Sequence, residues 1–199
     1  MYRPLKLLMR RSRFLFLAGV VCAVVSLLIS FLTPLEYKAS AQVLIISQSR
    51  YGVDPYTVVK SAERVGENLA QVMKTTDFYK KVKSQTQYDL DWSRFDKLKE
   101  NKKRKLWQKS VEPSVVYGTG VLNISTYHPD KAQAKMLAAA TAQALVEKGW
   151  EYVGGDVAIK LVNDPVVGIL PSRPNLLLNA LAGFLVGLLA AGVLVIYKR

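Results

Sequence analysis

Two long apolar blocks stand near the ends of the chain, and a stretch of mixed polar and apolar residues lies between them. Residues 14–33 and residues 176–197 contain no charged side chain. A helix of about 20 residues is roughly 30 Å long, which matches the hydrocarbon thickness of a bilayer. Buried core helices of this length at both ends would be unusual in a soluble chain of 199 residues. The pattern therefore predicts two transmembrane helices.

The residues that flank the blocks predict the orientation of the chain. The first 13 residues contain only basic charges, which are Arg3, Lys6, Arg10, Arg11 and Arg13. Lys198 and Arg199 follow the second block. Because positive flanks are retained in the cytoplasm, residues 1–13 and 198–199 are predicted to be cytoplasmic. Residues 34–175 are then periplasmic or extracellular, and the protein is a two-pass plasma (inner) membrane protein. Part of the net charge of +13 is therefore a topology signal, and nucleic-acid binding is not indicated.

A cleaved signal peptide is the alternative interpretation of the first block. Ala39-Ser40-Ala41 has the small-residue spacing of a cleavage site. The block is longer than the usual apolar region of about 7–15 residues, and a strand pattern crosses the cleavage position. An uncleaved anchor is preferred. Cys22 follows Val21, which is too large for a lipoprotein signal, and is expected to pack as a small apolar side chain.

The middle segment predicts an α+β domain, in which helices pack on a mixed sheet. Predicted strands cover residues 36–49, 111–117, 120–127 and 157–167. Predicted helices begin after Asp54, Asp77 and Asp130 as caps, with a further helix over residues 93–109. The helix after Asp130 extends to Val153.

Two finer expectations concern which faces are buried. Val43 and Ile45 alternate with Leu44 and Ile46, which predicts a first strand covered on both sides. The helix after Asp130 is expected to bury one stripe. That stripe consists of Ala132, Met136, Ala139, Ala140, Gln143, Val146 and Trp150.

The sequence offers no constellation for catalysis. The single histidine, His128, precedes Pro129 where a strand meets a helix, which is typical of a turn residue. Asp89 and Asp91 lie in a short polar connector, so a glycosidase pair gains little support. No metal or cofactor motif is present. The protein is expected not to be an enzyme and to need no cofactor.

The most basic segment is the predicted helix over residues 93–109. A cluster of Lys102, Lys103, Arg104 and Lys105 could contact an anionic glycan or lipid phosphates. The preferred interpretation is a solvated face, with Phe95, Leu98, Leu106 and Trp107 turned inward.

Association is predicted at the entry to the second block and within it. Pro165, Pro171 and Pro174 predict a stiff extended segment over residues 165–174, because proline restricts φ and lacks a backbone donor. Gly183 and Gly187 form a G-x-x-x-G pattern, which allows close approach of another helix in lipid. That helix is either the chain's own first span or a neighbour.

Taken in order, these features resemble the Wzz-type chain-length determinants, or polysaccharide co-polymerases. The resemblance rests on the basic N-terminus, the two spans and four short motifs that together cover nearly the whole chain. These motifs are Tyr37-Lys38-Ala39-Ser40-Ala41, Leu122-Asn123-Ile124-Ser125, His128-Pro129-Asp130-Lys131-Ala132 and Pro165 with Pro171-Ser172-Arg173-Pro174. The size of the middle domain is closer to the compact capsule or exopolysaccharide type.

The resemblance implies a homo-oligomer that acts with a membrane-embedded glycan polymerase and sets the length of a surface polysaccharide. Polysaccharide or undecaprenyl-linked glycan is the implied ligand. Compact members also act as adaptors for a cytoplasmic tyrosine kinase, and the two-residue tail counts against that role here. A two-span sensor of an extracytoplasmic ligand is the alternative from a different class.

Overall fold

The computed structural model describes residues 11–47, 54–154 and 157–197. Two compact units form the chain, one from its two ends and one from Glu36–Pro171. The predicted cytoplasmic residues 1–10 and 198–199, and the last two residues of the first predicted strand, lie outside the described residues.

Eight helices and four strands are found in the described part of the chain. The helices are α1 Ser12–Ser30, α2 Pro55–Val72, α3 Thr76–Lys83, α4 Ser93–Asp96, α5 Glu100–Ser110, α6 Lys131–Lys148, α7 Trp150–Val153 and α8 Leu176–Tyr197. The strands are β1 Tyr37–Ser47, β2 Val111–Val115, β3 Val121–His128 and β4 Val157–Val167.

Helix α8 coincides with the second apolar block, and α1 covers most of the first but ends at Ser30, before residues 31–33. Their lengths of 19 and 22 residues, together with their composition, are sufficient to cross a membrane. Most of their apolar side chains are exposed, including Phe16, Leu28, Leu177 and Leu189. A core helix of a soluble domain would bury such side chains, because apolar surface is transferred out of water on folding.

The Glu36–Pro171 unit is an α+β domain built on a four-stranded sheet in the order β2-β3-β1-β4. Each described pairing is antiparallel, so the prediction of a mixed sheet is wrong. Strands β3 and β4 run in the same direction, but β1 lies between them. Helix α6 leads from β3 to β4, so these two parallel strands are not hydrogen-bonded neighbours in the sheet.

Helices α2 and α6 pack on one face of this sheet. Strand β1 buries its alternate residues Ala39, Ala41, Val43 and Ile45 on that face. On β3, the Thr126 hydroxyl donates to the Ala134 carbonyl of α6 at 2.9 Å. The opposite face is less covered, and Ile46 remains 37% exposed. The predicted cover on both sides of β1 is therefore wrong within this domain.

Strand β4 forms an edge of the sheet and contains Pro165. Its pairing with β1 shifts register twice, between Ser40 and Gln42 and between Gln42 and Val43. Proline has no backbone N–H to donate. One side of an edge strand has no neighbouring strand to bond, so proline is tolerated there and at bulges. The predicted stiff segment over residues 165–174 therefore begins inside a strand, which corrects its first three residues.

Helix α6 begins at its predicted cap, because the Asp130 carboxylate accepts from the Gln133 N–H at 2.8 Å. The predicted buried stripe is correct only in part: Ala140 is buried, but Ala132 and Trp150 are exposed. The buried face contains Ala134, Leu137, Ala138, Ala140, Thr141, Ala142, Ala144 and Leu145. Alanines occur on every side of α6, so the apolar pattern of its sequence does not show which face is buried. The predicted single helix also divides into α6 and α7 at Gly149.

The other helices differ from prediction at their ends. Helix α2 is capped by Asp54 as predicted. Thr75, rather than Asp77, caps α3, since its hydroxyl accepts from the Phe78 N–H. The predicted helix over residues 93–109 divides into α4 and α5. The two pieces bury Phe95 and Trp107 beside Tyr79, as the inward-facing interpretation predicts.

Candidate functional site

The glycines of the second apolar helix pack directly against the first. A Cβ atom added at Gly183 would lie 2.6 Å from the Ser26 Cβ and 2.8 Å from the Cys22 carbonyl oxygen. One added at Gly187 would lie 2.7 Å from the Ala18 carbonyl oxygen. These distances leave no room for a side chain, so the helix backbones are in contact. The predicted contact with another helix is found, and within the described chain that helix is α1.

A polar cluster joins α1 and α8 near the start of α8. The Ser26 hydroxyl donates to the Asn179 carbonyl at 2.8 Å, and the Asn179 side-chain amide donates to the Ser30 hydroxyl at 2.8 Å. Hydrogen bonds between helices in an apolar surrounding are worth about 0.6 kcal/mol each on average. Because these hydrogen bonds are directional, the cluster helps to fix the orientation of α1 relative to α8 at the glycine contact.

The three prolines of the predicted stiff segment are divided between the two units. Pro165 and Pro171 belong to the α+β domain, whereas Pro174 belongs to the helix pair. Pro174 follows a cis peptide bond with Arg173. Each proline side chain is half-buried.

The basic cluster lies on α5. Lys102, Arg104 and Lys105 are exposed, and Lys103 donates to the Glu100 carboxylate at 2.8 Å. Beneath them, Tyr79 is buried and lines the same small cavity as Lys103 and Arg104. Burial, followed by Asp96 and Glu100, raises the pKa of Tyr79 to about 12. The Lys103 charge is thus offset by Glu100, and a glycan or phosphate contact of the basic cluster stays a prediction.

His128 has a local structural role. Its Nδ1 atom accepts from the Asp130 N–H at 3.0 Å. Burial lowers the pKa of His128, Arg94 lowers it further, and the Asp130 carbonyl and carboxylate together with Asp91 raise it. The Asp91 carboxylate accepts from the Ser93 N–H at 2.8 Å, at the start of α4. Both residues thus stabilise the ends of elements, and the described residues contain no group of three or more metal-ligating side chains.

The open face of the sheet carries a hydrogen-bonded amide ladder that the sequence did not reveal. Asn163 of β4 donates to Gln42 of β1, and Gln42 donates to Asn123 of β3 at 2.8 Å. The ladder lies in a shallow cavity of about 550 Å³ with Ser40 and Ser125. The alternation of polar residues in β1 and β3 is visible in the sequence, but their pairing depends on the strand register.

A second missed feature is a groove along α2, which we call the tyrosine groove. One end is a cavity of about 570 Å³ that includes Tyr56 and Tyr117, and the other is a cavity of about 470 Å³ that includes Arg64. Lys60 and Glu63 line both cavities. Tyr56 and Tyr117 are each 72% exposed. Two exposed tyrosines far apart in sequence give no periodic signal, so only the fold brings them together.

Comparison with known proteins assigns no family to this arrangement. No protein-family model matches the chain, and no curated protein matches it.

Proposed function

We propose that this protein is a non-enzymatic membrane regulator of surface polysaccharide chain length and export. It acts as a homo-oligomer together with a membrane-embedded glycan polymerase. The observation that carries the proposal is the close packing of the two terminal apolar helices, which brackets one α+β domain. The order of motifs along the chain, from the basic N-terminus to the proline residues before the second span, supports the same function.

The proposed topology follows from the basic flanks. Both termini lie in the cytoplasm, and the α+β domain lies on the periplasmic or extracellular side. The growing glycan and the polymerase active site are then on the same side as this domain. Acting as an adaptor for a cytoplasmic tyrosine kinase is the alternative role.

A packed helix pair suits a regulator because it holds the domain at a defined membrane site. When several copies assemble, weak contacts with one glycan chain add up through a high effective concentration. A longer glycan contacts more copies of the protein, so the assembly retains it more strongly. Chain length is thereby sensed through association, without a covalent step in this protein.

The proposal is tested by deleting the gene and separating the surface polysaccharide by gel electrophoresis. We expect the length distribution or the amount of polysaccharide to change, and the wild-type gene to restore it. A Gly187→Leu variant is expected to restore it poorly, whereas Ala190→Leu, on an exposed position of α8, restores it fully. An unchanged length distribution and amount after deletion would refute the proposed function.

The oligomeric state distinguishes this function from a ligand sensor. Cross-linking in native membranes is expected to give a ladder that ends at a defined number of copies. A monomer or dimer that changes only when a small ligand is added would favour the sensor instead.

A further inference from the structure

The tyrosine groove has an aromatic end and a polar end. Tyr56 and Tyr117 present exposed rings at the aromatic end, and Val59 beside them is 39% exposed. A large apolar side chain stabilises the fold through burial. Rings left exposed beside a cavity add little to folding and are typical of a binding surface. Thr57 and Ser61 add hydroxyl groups at the polar end.

An ion pair with one buried partner lies where the two ends meet. Both Glu63 carboxylate oxygens accept from the Lys60 ammonium group at 3.3 Å. The Glu63 side chain is only 8% exposed, whereas that of Lys60 is 62% exposed. A buried carboxylate is costly unless hydrogen bonds satisfy it. Lys60 therefore holds a strong acceptor in place at the wall of the groove.

The charges that line the groove balance. Lys60 and Arg64 are opposed by Glu63 and Glu67. A strongly anionic or cationic ligand would gain little from this lining, because each attraction is offset by a repulsion. The groove therefore suits a neutral ligand with many hydroxyl groups.

We propose that the tyrosine groove binds a neutral oligosaccharide, with Tyr56 and Tyr117 stacking on sugar rings and Glu63 and Lys60 bonding sugar hydroxyls. A pyranose has an apolar C–H face and a rim of hydroxyls. The C–H face fits the negative face of an aromatic ring, and the hydroxyls can both donate and accept. The two cavities are of a size that holds more than one sugar. The inference rests on the proposed function for the source of the glycan, but its binding test does not require that function.

Binding is tested with the full-length protein in lipid nanodiscs, since detergents with sugar headgroups would compete for the groove. The probes are three neutral β-1,4-linked hexasaccharides, of glucose, mannose and galactose. Saturation-transfer NMR is expected to show transfer to at least one of them, strongest at protons of the C–H face. Changing Tyr56→Ala or Tyr117→Ala is expected to weaken binding about tenfold each.

Matched variants separate the roles of the side chains. Tyr56→Phe and Tyr117→Phe keep the ring faces and are expected to retain binding. Glu63→Gln is expected to weaken binding several-fold. Trp150→Ala removes another exposed aromatic ring, 55% exposed and outside the groove, and is expected to leave binding unchanged.

The proposal is overturned if none of the three hexasaccharides shows transfer, or if the tyrosine-to-alanine variants bind as tightly as wild type. It is also overturned if those variants change the oligomer size while no hexasaccharide binds, because the groove is then a protein interface. Saccharide binding without any effect of gene deletion on polysaccharide length would leave the groove as a glycan site and refute only the proposed function. Length control without saccharide binding would do the reverse.

Discussion

Adding a side chain at Gly187 is expected to separate the two apolar helices. A Cβ atom there would lie 2.7 Å from the Ala18 carbonyl oxygen and the Cys22 Cβ, and 2.9 Å from the Gly19 Cα. Carbon atoms in van der Waals contact are normally about 3.5–4.0 Å apart. The helices must therefore move apart by about 1 Å for one methyl group, and further for leucine. Backbone atoms at Ala18 and Gly19 cannot rotate out of the way.

Gly187→Leu is expected to destabilise the helix pair by about 1–3 kcal/mol, the usual cost of overpacking. The single cysteine of the chain, Cys22, lies in the contact and reports on its opening. When opening is rapid and rare, the rate of maleimide labelling follows the open population. The labelling rate of purified protein in detergent should therefore rise by about 5-fold to about 150-fold.

Ala190→Leu is the matched control for this measurement. It adds the same side chain on an exposed position of the same helix, so its labelling rate should equal that of wild type. Labelling in a denaturing detergent, where all variants should react equally, checks the intrinsic reactivity of the thiol. Equal rates for Gly187→Leu, Ala190→Leu and wild type under native conditions would refute the glycine-mediated contact.

Three further outcomes are expected. Trp107→Ala should lower the unfolding free energy of the α+β domain by about 3–5 kcal/mol in a denaturant titration. Trp107 is 1% exposed and its indole N–H donates to a backbone carbonyl. Asn179→Ala should raise the labelling rate of the thiol about threefold, because one interhelical hydrogen bond of about 0.6 kcal/mol is lost. Acidification from pH 6.5 to pH 5 should lower the stability of the domain, because burial lowers the pKa of His128 below its ordinary value of 6.5.

The sign of the pH effect follows from proton uptake. With a lowered folded pKa, the unfolded state binds a proton more readily as the pH falls below 6.5, so the unfolding free energy decreases. Well above this pH both states carry neutral His128, and this residue causes no pH dependence. His128→Asn should flatten the profile between pH 5 and pH 7, and an unchanged slope in that variant would contradict the assignment.

Controls for the other two variants use sites on the surface. Trp150→Ala should lower the unfolding free energy by clearly less than Trp107→Ala, because the Trp150 side chain is 55% exposed. A loss as large as that of Trp107→Ala would show that exposure does not account for the difference. If Asn179→Ala leaves the labelling rate unchanged, the hydrogen bond from the Asn179 amide to Ser30 contributes nothing to the stability of the helix pair.

The elements that the sequence predicted correctly are those with strong local signals. Uncharged blocks of about 20 residues predicted α1 and α8, and Asp54 and Asp130 predicted the starts of α2 and α6. A cap depends on one side chain and the N–H groups two or three residues later. Such features are local, so they need no knowledge of the fold.

Predictions that needed a direction or a face failed where the local pattern was ambiguous. The alanines around α6 left several faces equally apolar, and the helix turns Leu137 and Leu145 inward instead of Trp150. The sheet was predicted to be mixed, but β1 takes a central place between β3 and β4. Strand order depends on contacts distant in sequence, and a periodicity of two contains no information about them.

The candidate sites divide in the same way. Gly183 and Gly187 were recognised from their spacing, because close helix approach requires small residues four apart. Which helix approaches them, namely α1 through Cys22, was left open and became evident only from packing. Pro165 was recognised as a stiff position but not as part of an edge strand.

The sequence by itself therefore determined that the chain has two apolar helices at its ends and an α+β domain between them. These properties follow from composition and from contacts within a few residues, where propensity and capping act. Only the tertiary structure decided that Tyr56 and Tyr117 line one groove and that Asn163, Gln42 and Asn123 form one ladder. Those groups are brought together by burial of a shared core, which sets the strand register and helix position over the whole domain at once.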